Sequence, residues 1–279
     1  MIPYGRQFID EDDIRAVVEV LHSNWLTTGP KVAKFEQIFA KQVGSTEAVA
    51  VSNGTAALHA AMHALAIGPG DEVIVPAMTF AATANCVVFQ GATPVFVDVD
   101  PEKLLIDPDR IIEKITSRTK AVIAVDYAGH PADYDRLKPI AEDYGIALVA
   151  DACHALGAAY KSRPVGSLAD LNTFSFHPVK HIATGEGGMI TTDDPELAKG
   201  MRRFRNHGIP TDHLQREKQG SWFYEMVDLG YNYRITDFQC ALGISQLKKL
   251  NRFLERRRRI AKKYDQAFSG MPAIKPLFV

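Results

Sequence analysis

Three short stretches place reactive side chains next to apolar runs. In "NTFSFHPVKHIATGEGGMITTD", residues 172–193, Lys180 lies between two segments that read as strands, with Pro178 before it and Gly185, Gly187 and Gly188 after it. Most lysines are solvated, but one held in a cleft can lose its proton and form a Schiff base with a carbonyl. In "IALVADACHALG", Asp151 falls at the carboxyl end of an apolar run and His154 follows three residues later. A carboxylate there either caps a turn or meets a cationic ligand through a charge-assisted hydrogen bond of roughly 1.5–3 kcal/mol. In "AVAVSNGTAALHAAMHAL", residues 48–65, an apolar strand runs into Asn53, Gly54, Thr55 and a small-residue helix. Amide groups at a helix start form an anion site, and glycine lets a ligand approach closely. The same residue types also cap ordinary helices, and the spacing is not that of a Walker loop.

Taken together, the three stretches fit one cofactor. Pyridoxal phosphate has an aldehyde, a pyridine nitrogen and a phosphate, and needs a lysine, an acid and a phosphate cup. The chain supplies these in the order phosphate cup (Gly54–Thr55), acid (Asp151), lysine (Lys180). Phe80, in "TFAATAN" just past another strand end, offers a ring able to stack on the pyridine.

The elements that must position these groups follow from periodicity. Residues 10–22 have an acidic start and helical spacing, and "KVAKFEQIFAKQV" reads as a second helix. Runs rich in Val and Ile follow at "EAVAVS", "DEVIVP", "TPVFVDV", "KAVIAVDY", "IALVADA", "NTFSF" and "GGMITT". Helical patterns such as "TAALHAAMHAL", "FAATANCVVFQ", "DPDRIIEKI" and "DYDRLKPIAEDYG" separate the first six. Strands alternating with helices predict βαβ units and an α/β fold with a mainly parallel sheet. Such sheets bind ligands outside the carboxyl ends of their strands. Residues 209–233 read as a long loop, and "ITDFQCALGISQLKKL" and "NRFLERRRRIAKKYDQAF" as two further helices.

Composition excludes several classes. With 279 residues and 46 % hydrophobic content the chain can build a sizeable core. A net charge of −1 gives no bulk reason for a nucleic-acid or acidic-lipid partner. Cys86, Cys153 and Cys240 form no C-x-x-C pair, so neither a metal site nor a disulfide framework is expected, and a reducing cytoplasm fits best. The N-terminus has no apolar signal region, and no apolar run approaches the ~18 residues of a membrane span.

The chain resembles the DegT/DnrJ/EryC1/StrS family of sugar aminotransferases. "SNGTAALHAA", "VPAMTFAATANCV", "VDVDP", "GHPAD", "VADACHALGA", "TFSFHPVKHIATGEGGMI", "RNHG" and "GYNYRITDFQCALGISQL" match in order. A narrower likeness, carried by "SFHPVK", "WFYEMVDLGYNYR" and the opening "IPYGRQ", is to the branch that aminates a UDP-linked 4-keto-6-deoxy-N-acetylhexosamine on the way to pseudaminic acid. The resemblance implies an aspartate aminotransferase-like fold (fold type I) and a homodimer with shared active sites. It also implies transfer of an amino group, from L-glutamate, to the C4 carbon of the keto-sugar. By resemblance Lys180 is the Schiff-base lysine, Asp151 pairs with the pyridine nitrogen and Phe80 stacks on the ring. Gly54, Thr55 and Ser175 match phosphate-binding positions, and His154 sits where the family places a residue, often Gln, near the phenolic oxygen. Asn232, in "GYNYR", matches a residue reaching the phosphate of the neighbouring subunit. Some relatives carry histidine in place of the lysine and are dehydratases, so Lys180 indicates a transaminase. The expected organisation is an N-terminal arm and helix over 1–30, a cofactor-binding domain over 31–250, and over 251–279 the start of a smaller C-terminal domain that is largely absent.

Three other readings compete. Amination of a dTDP-linked sugar or of a lipid A arabinose type uses the same machinery. Tyr134 and Lys138 in "YDRLK" fit the Y-x-x-x-K pair of short-chain dehydrogenases, but the glycine-rich turn of that class is missing, so both residues are expected on the exposed face of an amphipathic helix. A catalytically inactive relic with a scaffolding or regulatory role is the third, with "ERRRR" at 255–259 read as a solvated helix face.

Overall fold

The computed structural model describes all residues except 2–4, 212–215, 217–219, 275 and 278–279. Parts of the "IPYGRQ" opening and of the 209–233 segment therefore lie outside the described residues. The chain begins with α1 (Glu11–Leu21), where Asp10 and Asp13 exchange side-chain-to-backbone hydrogen bonds as a capping box. Helix α2 (Pro30–Val43) starts on proline and ends at Gly44, whose φ of 72° is left-handed.

A seven-stranded sheet follows, built from β1 (Glu47–Val51), β2 (Glu72–Pro76), β3 (Thr93–Val97), β4 (Thr119–Val125), β5 (Ala147–Asp151), β8 (Leu171–Ser175) and β9 (Gly188–Thr192). Its order is β1-β9-β8-β5-β4-β2-β3. All strands run parallel except β9, which pairs antiparallel with both β1 and β8. Alternate residues of every strand but the edge strand β3 feed two cores. Ala48 and Ala50 of β1 and Val122 and Ala124 of β4 join Phe35, Phe39, Phe174 and Phe176 on one face. Val49, Val51, Ala121 and Ile123 join Leu58, Met62 and Phe204 on the other. Burial on both faces explains why these strands, β3 apart, are continuous apolar runs in the sequence.

Helices α3 (Gly54–Ala64), α4 (Ala81–Phe89), α5 (Pro108–Ile112), α6 (Tyr134–Tyr144) and α7 (Pro195–Phe204) connect or flank the strands. Beyond the loop, α8 (Asp237–Leu247) begins with a buried carboxylate. Asp237 accepts hydrogen bonds from the backbone N–H groups of Gly29 (3.0 Å), Lys31 (3.2 Å) and Val32 (3.2 Å), so one side chain ties the start of α8 to the start of α2. In α9 (Leu250–Phe268) only Leu250 is fully buried, and the arginines of "ERRRR" are exposed.

Two expectations need correction or extension. Tyr134 is not on an exposed face: it is 1 % exposed, because Tyr134, Leu137 and Ala141 share the inner side of α6 at i, i+3 and i+7 spacing. A short hairpin of β6 (Ala159–Tyr160) and β7 (Arg163–Pro164) was not predicted. Its turn, Lys161–Ser162, has φ of 47° and 70°, a geometry usually signalled by Asn-Gly and here without that signal.

Candidate active site

Parallel strands put their carboxyl ends on one edge of the sheet, and there a cleft of about 820 Å³ opens. Gly54, Thr55, Phe80, Asp151, His154, Ser175 and Lys180 all line it. Residues separated by as much as 126 positions (54 to 180) thus share one cavity. Asn232 is the exception among the residues singled out from the sequence. It is exposed, pairs through its backbone with Asn206, and directly precedes Tyr233, which does line the cleft.

The first turn of α3 forms one end of the cleft. Asn53 caps it, its Oδ1 accepting from Ala56 N–H at 2.8 Å. The N–H groups of Gly54 and Thr55 precede any carbonyl one turn back, so the helix itself gives them no partner. The turn is packed against β8 and β9. A Cβ on Gly54 would lie 3.0 Å from the Cβ of Ser175, and one on Gly188 only 2.3 Å from the carbonyl oxygen of Asn53. Gly188, at the start of β9, therefore has no room for a side chain, because it touches the Asn53–Gly54 turn backbone to backbone.

Asp151 closes β5 and is 6 % exposed. Its Oδ2 accepts from Thr83 Oγ1 at 2.8 Å and its Oδ1 from Cys153 N–H at 3.3 Å. Thr83 is itself 2.7 Å from Thr79 Oγ1, so two threonines of the α4 entrance orient the carboxylate. Phe80 precedes α4 and is 75 % exposed at the cleft, a large ring left with a free face. Lys180 sits in a tight turn: its N–H donates to the His177 carbonyl at 2.8 Å, and its own carbonyl accepts from Arg257 Nη2 at 2.8 Å. Arg257, Arg256 and Arg259 line a second hollow of about 410 Å³ that shares Lys180 with the cleft.

The imidazoles near Lys180 are biased to the neutral form. Burial, and then the Lys180 charge, hold His154 below its ordinary range, with Asp151 opposing. Burial, with Arg257 next in weight, brings His181 down to about 4. Cys153 has its thiol pushed up by burial and by Asp151, which makes it a poor nucleophile.

Several lining or supporting groups were not singled out from the sequence. Thr83 and Asp126 carry no distinguishing local signal, beyond Asp126 lying just past an apolar strand as Asp151 lies at the end of one. The Tyr233 hydroxyl meets His59 Nδ1 at 3.0 Å, and burial takes His59 down to about 4. No local signal links His59 to Tyr233 across 174 residues. Among the described residues no cluster of His, Cys, Asp and Glu can hold a metal ion, and no helix is long and apolar enough to cross a membrane.

This donor set has the chemistry that pyridoxal phosphate requires: amides for a phosphate, a buried carboxylate for a ring nitrogen, an open aromatic face and an amine.

Known proteins with the same sequence pattern and fold carry that cofactor. Residues 7–278 match the DegT/DnrJ/EryC1/StrS aminotransferase family. The spore coat polysaccharide biosynthesis protein SpsC of Bacillus subtilis is 45 % identical over 279 residues, covering 100 % of this chain and 72 % of its own length. The sugar aminotransferase Spr1654 of Streptococcus pneumoniae has been solved in PMP and PLP forms. The PMP form superposes with a TM-score of 0.91 at 37 % identity, over 97 % of this chain and 73 % of that one. PseC of Helicobacter pylori, an aminotransferase of pseudoaminic acid biosynthesis, gives 0.90 at 33 % identity, over 97 % of this chain and 71 % of that one. Fold, cofactor chemistry and sequence converge, and the chain belongs to the DegT/DnrJ/EryC1/StrS aminotransferase family of pyridoxal-phosphate-dependent sugar aminotransferases.

Proposed function

We propose that this chain moves an amino group from L-glutamate to the C4 carbon of a UDP-linked 4-keto-6-deoxy-N-acetylhexosamine, as a cytoplasmic homodimer. The observation that carries the reading is the meeting of Lys180, Asp151, Phe80 and the α3 N-terminus in one cleft, in a chain similar over 97 % of its length to PseC. Residues 31–250 form the cofactor-binding domain in this reading, with 1–30 as its arm and helix and 251–279 as the start of a second domain.

The bound cofactor supplies an electron-accepting pyridinium, which stabilises negative charge at the carbon that loses its proton. The remaining work falls to side chains. Gly54 and Thr55 hold the phosphate through first-turn N–H groups, with Ser175 beside them and Asn232 reaching across from a neighbouring subunit. Asp151 keeps the ring nitrogen protonated through a charge-assisted hydrogen bond, with Thr83 fixing its orientation. Phe80 stacks on the ring with its exposed face. Lys180 would hold the cofactor through its Nζ and, with that amine free, would take a proton from the substrate carbon in the donor half and give one to it in the acceptor half, so that one residue would serve as nucleophile, base and acid. His154, biased to the neutral form, hydrogen-bonds beside the phenolic oxygen without moving protons. The exposed Trp222, Phe223 and Tyr224, with Trp222 86 % exposed, support burial of this loop against a second subunit.

A second sugar class is favoured by one observation: identity to SpsC, a spore coat polysaccharide protein, is 45 %, against 33 % to PseC. Half-reaction spectroscopy tests both. The protein is converted with glutamate, then challenged with UDP- and dTDP-linked 4-keto sugars. Recovery of the starting spectrum only with the UDP-linked N-acetyl sugar is expected. Recovery only with a dTDP-linked sugar overturns that substrate, and no conversion by any amino donor overturns the enzymatic reading in favour of a relic.

A further inference from the structure

Asp126 follows β4 and Asp151 ends the neighbouring β5. The parallel register pairs Val125 with Asp151, and the Asp126 N–H donates to the Asp151 carbonyl at 3.1 Å. The two strand ends therefore meet through their backbones, and because side chains alternate along a strand, Asp151 shares the cleft face with Val125 while the Asp126 carboxyl lies on the opposite face, against Ala132 and Tyr134. Asp126 is 0 % exposed. Its Oδ1 accepts from Ala132 N–H at 2.8 Å and from the Tyr134 hydroxyl at 2.9 Å, whereas its Oδ2 is buried with no hydrogen-bond partner among the described residues. No cation pairs with it among the described residues. The titratable groups facing it are Asp151 from β5 and Tyr134 from α6, and burial together with Asp126 keeps that phenol protonated well beyond its usual range. A buried anion with a bare oxygen and a second carboxylate nearby is disfavoured twice, by desolvation and by like charge.

We propose that Asp126 is a positioning residue that stays protonated while Asp151 is ionised, so that the pair carries one negative charge and presents it, through Asp151, to the cofactor's pyridine nitrogen. Its place behind Asp151 rests on the role given to Asp151 above; its protonation does not. Burial foremost, and Asp151 in addition, push the Asp126 carboxyl up to about 7, against the lowering effect of Ala132 N–H and Tyr134. Below that pH the pair carries one negative charge, on Asp151 in the cleft; above it a second charge appears on Asp126, buried beneath the cleft rather than lining it.

The cofactor-free full-length chain tests the protonation first. The folded protein keeps a proton that the unfolded chain releases near pH 4, so this group's contribution to stability falls as pH rises from about 4 to about 7, then levels. Asp126→Asn cannot titrate. The ratio of its folding constant to that of the wild type should therefore climb across this window, by on the order of 100- to 1000-fold. A protonated-carboxyl stretch should be visible in the infrared spectrum of the wild type at about pH 6 and absent from the variant. A pH-independent offset in stability, or no such stretch, overturns the proposal. Tyr134→Phe guards against a folding failure of Asp126→Asn: loss of a donor to the anion should move the infrared titration to higher pH, and an unmoved or lowered titration refutes the assignment. In the loaded enzyme, the cofactor's absorbance should show an inflection near pH 7 that Asp126→Asn removes. Protonation in the free chain without that inflection overturns the link to the ring and assigns the failure to Asp151's role rather than to Asp126.

Discussion

Replacing Gly188 by alanine tests the packing that ties β9 to the Asn53–Gly54 turn, the phosphate cup proposed above. The new Cβ would lie 2.3 Å from the Asn53 oxygen, 2.6 Å from its carbonyl carbon and 3.0 Å from Gly54 N, against 3.4 Å or more for an ordinary contact. All three atoms are backbone, so no rotamer relieves the overlap. Gly188 is also pinned between Val51 of β1 and Ser175 of β8. Relief requires the Asn53–Gly54 turn to move by about 1 Å, at the cost of about 1–3 kcal/mol typical of overpacking. A shift of that size removes at least one charged hydrogen bond to the phosphate, about 1.5–3 kcal/mol, or roughly 10- to 150-fold in affinity for the cofactor. Absorbance titration of cofactor into the free protein, with a thermal melt alongside, reads both quantities. Gly200→Ala is the control: no heavy atom lies within 4 Å of its Cβ position in α7, so it should stabilise the helix by about 0.5–1 kcal/mol and leave affinity unchanged. Wild-type affinity in Gly188→Ala would refute the claim that this turn holds the phosphate.

The other predictions concern the reacting groups. Lys180→Ala should fold normally, lose the borohydride-reducible link to the cofactor, and fall in turnover by roughly 100-fold or more; a reducible link at another lysine would reject the assignment. Asp151→Asn should still bind cofactor but lose roughly 10- to 150-fold in turnover, the worth of its charge-assisted bond, and unchanged turnover would remove its role. His154→Gln should stay within about tenfold of wild type because the family position does not need a titrating group; complete loss would make His154 an acid or base. Light scattering should give a dimer, and a monomer that holds cofactor tightly would reject the shared site.

What the sequence determined by itself was local or additive. Apolar runs bounded by turn residues located the seven main strands, and their alternation with helices predicted a parallel sheet with the chemistry at its carboxyl edge. Asp151, Phe80 and the Gly54–Thr55 turn were legible as cleft residues because each lies at a strand or helix end, and Lys180 because it lies in the turn between β8 and β9. Tertiary structure alone decided the contacts set by strand order and register. Strand β9 lies between β1 and β8, far from its sequence position relative to β1, and only that insertion explains why Gly188 lacks a side chain. The parallel register of β4 and β5 joins the backbones of Asp126 and Asp151, although 25 residues separate them. Tyr134 looked solvated because its neighbours Asp133, Asp135 and Arg136 are polar; the sheet beneath α6 and the Asp126 carboxyl bury it instead. Periodicity reports which face of an element is apolar, but a buried polar group is chosen by the partner opposite it, and that partner is fixed only when the chain folds.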